Sequence, residues 1–342
     1  MALSLNIKKS FRDFSLEVGS STDSKRIGIL GASGCGKSLT LQSIAGIVKP
    51  DEGRISFGDT VWFDSKSRIN IKPADRKVGY LFQNYALFPN MTVEQNIAAP
   101  LKSSSDRAKT VNDILKKFGL WDVRDHRPDE ISGGQQQRTA LARMLTCDPD
   151  LLLLDEPFSA MDTFLREGMR LELIRLLDEY GKTVVMVSHD RDEIYQMCDH
   201  LILMDNGSVI AQGPTDELFD HPGTVAAARL TGCKNISRIR KIDDHRILAL
   251  DWGDLELTTS ETVSEDISYA GIRAHDFIPG NHGVNVINCG QATISRLPFE
   301  WYITLENGMW WKQSRNLDED ITGDIVPPNI SVMPDKIILL KM

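Results

Sequence analysis

Apolar residues in the first two thirds of the chain gather in short runs set between longer periodic stretches. Arg26 to Leu30 is a short, mostly apolar run ending at a glycine. Leu151 to Leu154 is wholly leucine, and Thr183 to Val187 and Leu201 to Met204 are further runs of strand length. Runs of that size without polar alternation suit strands buried on both faces. Between them lie helical patterns: Leu41, Ile44 and Val48 recur at helical spacing after Lys37, and Leu165 to Tyr180 reads as a longer helix. Strands alternating with helices predict an α/β fold with a parallel sheet. Thr92 to Cys147 departs from this rhythm. It reads as mostly helical with polar breaks, so a helical subdomain is expected at about 92–147.

The pattern changes after about Gly232. Short strand-like runs are punctuated by turn signals at Asp243-Asp244, Gly253-Asp254, Pro279-Gly280-Asn281 and Asn307-Gly308. Trp301 to Leu305 and Met309 to Lys312 flank Asn307-Gly308, a hairpin signal. The expected organisation is therefore an α/β domain over 1–232 and a small all-β barrel of Greek-key type over 233–342.

Composition narrows the class without changing that layout. The 342 residues are 41% hydrophobic and 25% charged, ordinary for a globular protein, and the length favours about two domains. A formal net charge of -9 argues against a general nucleic-acid partner. The five cysteines (Cys35, Cys147, Cys198, Cys233 and Cys289) are scattered, with no C-x-x-C pair, so neither a disulfide framework nor a zinc site is expected. The N-terminus offers no signal-peptide run, and no apolar stretch approaches the ~18 residues of a spanning helix.

Three segments carry chemistry. Gly31-Ala32-Ser33-Gly34-Cys35-Gly36-Lys37-Ser38 matches G-x-x-x-x-G-K-[ST] between a strand and a helix. Its glycines let backbone N–H groups wrap a phosphate, the helix start favours the same anion, Lys37 reaches the outer phosphates and Ser38 offers a hydroxyl to Mg²⁺. Leu151–Leu154 then delivers Asp155 and Glu156 to a strand's carboxyl end, where α/β sheets bind ligands. Asp155 is expected to hold Mg²⁺ directly or through water, and Glu156 to orient or deprotonate an attacking water. Third, Ile131-Ser132-Gly133-Gly134-Gln135 opens a helix with an N-cap serine and two glycines, a second candidate anion site.

Ser132-Gly133-Gly134-Gln135 resembles the signature sequence of ABC transporter ATPases, and further family motifs stand in order. Gln83 in Leu81–Pro89 resembles the Q-loop, Ser159-Ala160-Met161-Asp162 the D-loop and His189 the switch histidine. The resemblance covers about residues 1–230. Isoleucine stands for the usual leucine before Ser132, and methionine for the usual leucine in the D-loop. It implies a P-loop NTPase cassette with an inserted helical subdomain, followed by a small OB/TOBE-like β-barrel. It also implies ATP and Mg²⁺ as ligands, with Ser38, Gln83 and Asp155 at the metal. Two copies would pack head to tail, the nucleotide on one phosphate loop covered by Ser132–Gln135 of the other. Gln83 would relay the nucleotide state, His189 would contact the γ-phosphate and Asp162 would act across the interface. Phe11 or Phe14 would stack on adenine.

FQNYALFPNMTV, residues 82–93, is similar to importer ATPases, and Gly271–His275 with Gln291–Ile294 resembles the accessory barrel of importers of oxyanions, sugars, polyamines and iron. The spacing looks most like the molybdate, tungstate and sulfate branch. The implied partners are integral-membrane permeases at the cytoplasmic face and, indirectly, an extracytoplasmic binding protein. Two readings of the tail stand side by side: a structural module, or an oxyanion sensor. A soluble ABC ATPase of DNA repair or translation would need a second cassette or a coiled-coil insertion, and neither is visible. A kinase or GTPase would not explain ISGGQ.

Overall fold

The computed structural model describes residues 1–101, 106–159, 163–314 and 326–342. They form two compact units, Met1–Asp216 and Glu217–Met342. In the first, β1 (Leu3–Ser10) and β2 (Ser15–Thr22) precede β3 (Arg26–Gly31) and α1 (Lys37–Ala45). β4 (Glu52–Phe57), β5 (Thr60–Asp64), β6 (Ile69–Asn70) and β7 (Val78–Leu81) follow. Then come three helices, α2 (Val93–Ala98), α3 (Arg107–Lys117) and α4 (Gly133–Leu145), filling the region expected to be helical. β8 (Leu151–Asp155), α5 (Thr163–Tyr180), β9 (Thr183–Ser188), α6 (Arg191–Met197), β10 (His200–Asp205) and β11 (Ser208–Pro214) complete the unit.

The eleven strands make one sheet in the order β6-β5-β4-β1-β2-β11-β10-β3-β9-β8-β7. The expectation of a parallel sheet holds for only part of it. β10, β3, β9, β8 and β7 pair in parallel, whereas β1, β2, β4, β5 and β6 pair antiparallel. The signal for the second group is plain period-2 alternation. In β1, Leu3, Leu5 and Ile7 are buried, and in β2 Leu16 and Val18 are, with half-buried or exposed residues between. The parallel half instead carries unbroken apolar strands, and Leu151 to Leu154 are all 0% exposed. Each such side chain contributes about 1.5–3 kcal/mol of burial.

Two ends of α1 are finished differently. Its N-cap is Gly36, left-handed at φ 103°, with no side chain capping the first turn. Its C-terminus is closed by Arg76, which is 2% exposed and donates to the carbonyls of Ser43, Ile44 and Ile71 and to Asn70. Burial pushes this guanidinium down to about 10. Gly46, at φ 79°, leaves room for it, because a Cβ there would lie 2.7 Å from the guanidinium carbon.

In the second unit, all-β character emerges as expected. α7 (Thr215–Asp220) carries the break between the units, and α8 (Val225–Leu230) precedes β12 (Asn235–Asp243), β13 (Arg246–Ala249), β14 (Leu255–Thr258) and β15 (Tyr269–Ile272). β16 (Phe277–Pro279), β17 (Val286–Asn288), β18 (Thr293–Arg296), β19 (Glu300–Thr304), β20 (Trp310–Ser314), β21 (Asn329–Val332) and β22 (Ile337–Leu340) follow. They fall into three sheets, β14-β13-β12-β15-β22, β16-β21-β17 and β18-β19-β20, which share one apolar core containing Trp252, Ile303, Trp311 and Val332. The hairpin expected at Asn307-Gly308 joins β19 to β20. The second unit begins at Glu217 and so includes α8. α8 joins the second unit because Ala228 packs on Cys233 and Leu340, and the Val225 N–H donates to the Lys341 carbonyl.

Candidate functional site

Four neighbouring strands end at one place. β3, β9, β8 and β7 lie side by side and parallel, so their carboxyl ends present Gly31–Ser38, His189, Asp155–Glu156 and Gln83 to a common edge. A cavity of about 640 Å³ opens there, lined by Phe11, Phe14, Ser33, Gly34, Gly36, Lys37, Ser38, Leu39, Gln83 and Glu156.

The phosphate loop folds as its glycines require. Gly34 and Gly36 take φ 82° and 103°, left-handed values that favour residues without Cβ. At Gly31, a Cβ would stand 2.3 Å from the Met204 carbonyl. Cys35 turns inward, only 4% exposed, so its position in the loop is filled by backbone alone. Burial, opposed by Lys37, raises its thiol. Lys37 is 5% exposed, and its ammonium donates to the carbonyls of Gly31 (2.8 Å) and Ala32 (3.0 Å). No carboxylate pairs with it among the described residues. A buried cation balanced only by neutral carbonyls beside an uncapped helix start is suited to an anion.

Oxygen donors sit alongside. The Ser38 hydroxyl donates to Asp155 Oδ1 at 2.8 Å, and the Tyr80 hydroxyl to Asp155 Oδ2 at 2.9 Å. Burial, then the Asp155 charge, holds the Tyr80 phenol well above its ordinary range. Ser38 and Asp155 form a hard-oxygen pair suited to Mg²⁺, which completes its shell with water and phosphate oxygens. A cluster of three acidic, cysteine or histidine ligands is therefore unnecessary, and none occurs among the described residues.

Glu156 gathers two more of the expected residues. Its Oε2 lies 3.3 Å from Gln83 Nε2 and 3.3 Å from His189 Nδ1. Glu156 stands at φ 45°, left-handed and unusual for a glutamate, while its N–H still pairs with the Val187 carbonyl. The backbone thus turns off the strand directly after Asp155. His189 is held by a polar turn: the Ser188 hydroxyl donates to Glu193 at 2.6 Å and accepts from the Asp190 N–H, and Asp190 caps α6.

A family model described as ABC transporter matches residues 13–159. A probable sulfate/thiosulfate import ATP-binding protein of Chlorella vulgaris is 39% identical over 239 residues, 67% of this chain and 98% of that protein. The chain belongs to the ABC transporter family. A glucose import ATP-binding protein of Saccharolobus solfataricus is 37% identical over 257 residues, 74% of this chain and 70% of that one. Among solved structures, a dimeric ATP-binding cassette in a post-hydrolysis state with ADP and Pi superposes at a TM-score of 0.52. It is 28% identical and covers 63% of this chain and 99% of that one. The chain is thus an ABC ATPase.

In this cassette Ser132, Gly133, Gly134 and Gln135 do not line the cavity at the phosphate loop. They start α4 with a reciprocal cap: Ser132 Oγ accepts from the Gln135 N–H, and Gln135 Oε1 accepts from the Ser132 N–H. Of the two aromatic candidates, both line the cavity, but they differ in packing. Phe14 lies against the core and under Gly36, where a Cβ would meet its Cζ at 3.1 Å. Phe11 is 44% exposed, with the Lys9 ammonium 5.8 Å from its ring centroid. Asp162 lies outside the described residues.

The sequence reading missed Tyr80 and Arg143. Arg143 of α4 donates to the carbonyls of Tyr85 and Ala86, which follow Gln83 and are both left-handed at φ 60° and 45°. Asn96, fully buried, bonds both the N–H and the carbonyl of Phe88. These polar ties hold the segment after Gln83 against the helical subdomain. Tyr80 carried no motif; only the strand register exposes it.

Proposed function

We propose that this cassette is the ATP-hydrolysing subunit of an importer, working as a head-to-tail pair at the cytoplasmic face of a membrane. The observation that carries the catalytic reading is the convergence of Gln83 and His189 on one oxygen of Glu156 beside the phosphate loop. ATP lies with its phosphates on Gly31–Ser38, where Lys37 leaves its two carbonyls for the phosphate oxygens. Ser38, Asp155 and Gln83 would hold Mg²⁺, which would supply neutralisation of phosphate charge. Glu156 takes a proton from a water aimed at the γ-phosphorus, the water oxygen bonds to phosphorus, and the bond to the ADP oxygen breaks. His189 steadies the γ-phosphate, and Phe11 stacks on adenine. Ser132–Gln135 from the second copy cover the nucleotide, and Asp162 acts across the same interface.

Membrane work is supported by the import names of the two relatives, and in this reading permease subunits do the crossing. An extracytoplasmic binding protein feeds those permeases. For cargo, the reading favours an oxyanion such as sulfate, molybdate or tungstate, supported by the relative covered over 98% of its length. The glucose-named relative at similar identity supports a sugar as the second reading. Proteoliposomes holding the cassette, its permeases and the binding protein provide the test. ATP-driven uptake of labelled sulfate or molybdate, with none of glucose, is expected. Glucose uptake alone replaces the cargo, and ATP hydrolysis that the permeases never alter sinks the motor role.

A further inference from the structure

The carboxylate of Asp155 is gripped from both sides, and only one grip belongs to the phosphate-loop motif. Oδ1 accepts from Ser38 at 2.8 Å, and Oδ2 from the Tyr80 hydroxyl at 2.9 Å. Register explains why Tyr80 can reach. Tyr80 on β7 stands opposite Leu153 on β8, and Asp155 is two residues beyond Leu153, hence on the same face of the sheet. The phenol ring is steadied by Phe82, also two residues along, with ring centroids 4.3 Å apart. Ser38 is on α1, so the carboxylate of Asp155 is held between that helix and β7.

A carboxylate free to rotate about its side-chain torsions would present either oxygen, or neither, to a cation. Fixing one oxygen with an outer hydrogen bond leaves the other aimed, and such outer partners commonly govern metal affinity by tenfold or more. We propose that Tyr80 is a positioning residue of the metal site, its hydroxyl turning Asp155 so that the carboxylate meets Ser38 and the metal in one orientation. This rests on the reading of Ser38 and Asp155 as the Mg²⁺ site. Tyr80 touches no substrate in this arrangement. Its effect passes through Asp155.

The experiment uses the full chain, with Mn²⁺ as a paramagnetic stand-in for Mg²⁺ and ADP as the nucleotide. Tyr80→Phe removes one oxygen and keeps the ring. Mn²⁺ binding is read by electron paramagnetic resonance with ADP present, and ADP binding is read separately in excess chelator. The expected result is about tenfold weaker Mn²⁺ binding with chelator-state ADP binding unchanged. Mn²⁺ binding within twofold of the native chain overturns the proposal. So does an equal loss of ADP binding in chelator, the mark of a merely structural role. Asp155→Asn separates the two levels: if it keeps full Mn²⁺ binding, the metal-site reading falls and takes the proposal with it. If Asp155→Asn loses the metal and Tyr80→Phe does not, only the role of Tyr80 falls.

Discussion

At the scale of residues, a single glutamate oxygen gathers two polar side chains beside the phosphate loop. Gln83 and His189 both address Glu156 Oε2, and an amide in its place keeps the shape and removes the proposed base. Glu156→Gln should bind ATP with near-native affinity while turnover falls by about a hundredfold or more, and the protein should run as a stable dimer with ATP in gel filtration. A monomeric, fast-turning variant would contradict the assignment. The exposed Phe11 face offers a second check. Phe11→Ala should raise the KM for ATP by about tenfold with kcat little changed, whereas Phe14→Ala should lower the melting temperature first, because Phe14 supports Gly36 and the core. The sequence displays Lys37, Asp155 and Ser132 because each belongs to a contiguous motif tied to its own backbone turn. It hides Tyr80, whose contact with Asp155 arises only when β7 and β8 come together.

At the scale of elements, the legible parts are those whose burial is uniform. β3, β8, β9 and β10 have apolar, buried centres, so local composition alone marks them. The mixed character of the sheet depends instead on which strands pair, and β1 with β4 joins residues some fifty positions apart, as in Leu3 opposite Phe57. The second-unit boundary was equally hidden: α8 is committed by Leu340, far downstream. α1 is a test of long-range closure. Arg76→Met leaves the carbonyls of Ser43 and Ile44 buried without their donor, and should cost about 2–4 kcal/mol in urea unfolding. A loss below half a kcal/mol would show that the arginine is incidental to the helix.

At the scale of the whole molecule, the phosphate loop and the Ser132–Gln135 segment lie on one chain but do not share a cavity, which supports the proposed pairing of two copies. Mixing supplies the check. Lys37→Ala and Ser132→Arg chains should each be inactive alone. Combined in equal amounts, half the pairs are mixed and each mixed pair holds one intact site, so about a quarter of native activity should return. No recovery would mean that the signature segment serves its own chain. α1 adds a consequence of another kind. Its rear end is sealed by Arg76, while its leading N–H groups have no side chain to meet them. A triphosphate is the capping group this helix lacks, so the fuel also finishes the fold. The cassette is then a gauge of its own supply: at a hundredfold excess over its dissociation constant, nucleotide adds about 2.7 kcal/mol to folding. A cell short of ATP would hold not only idle transporters but less durable ones.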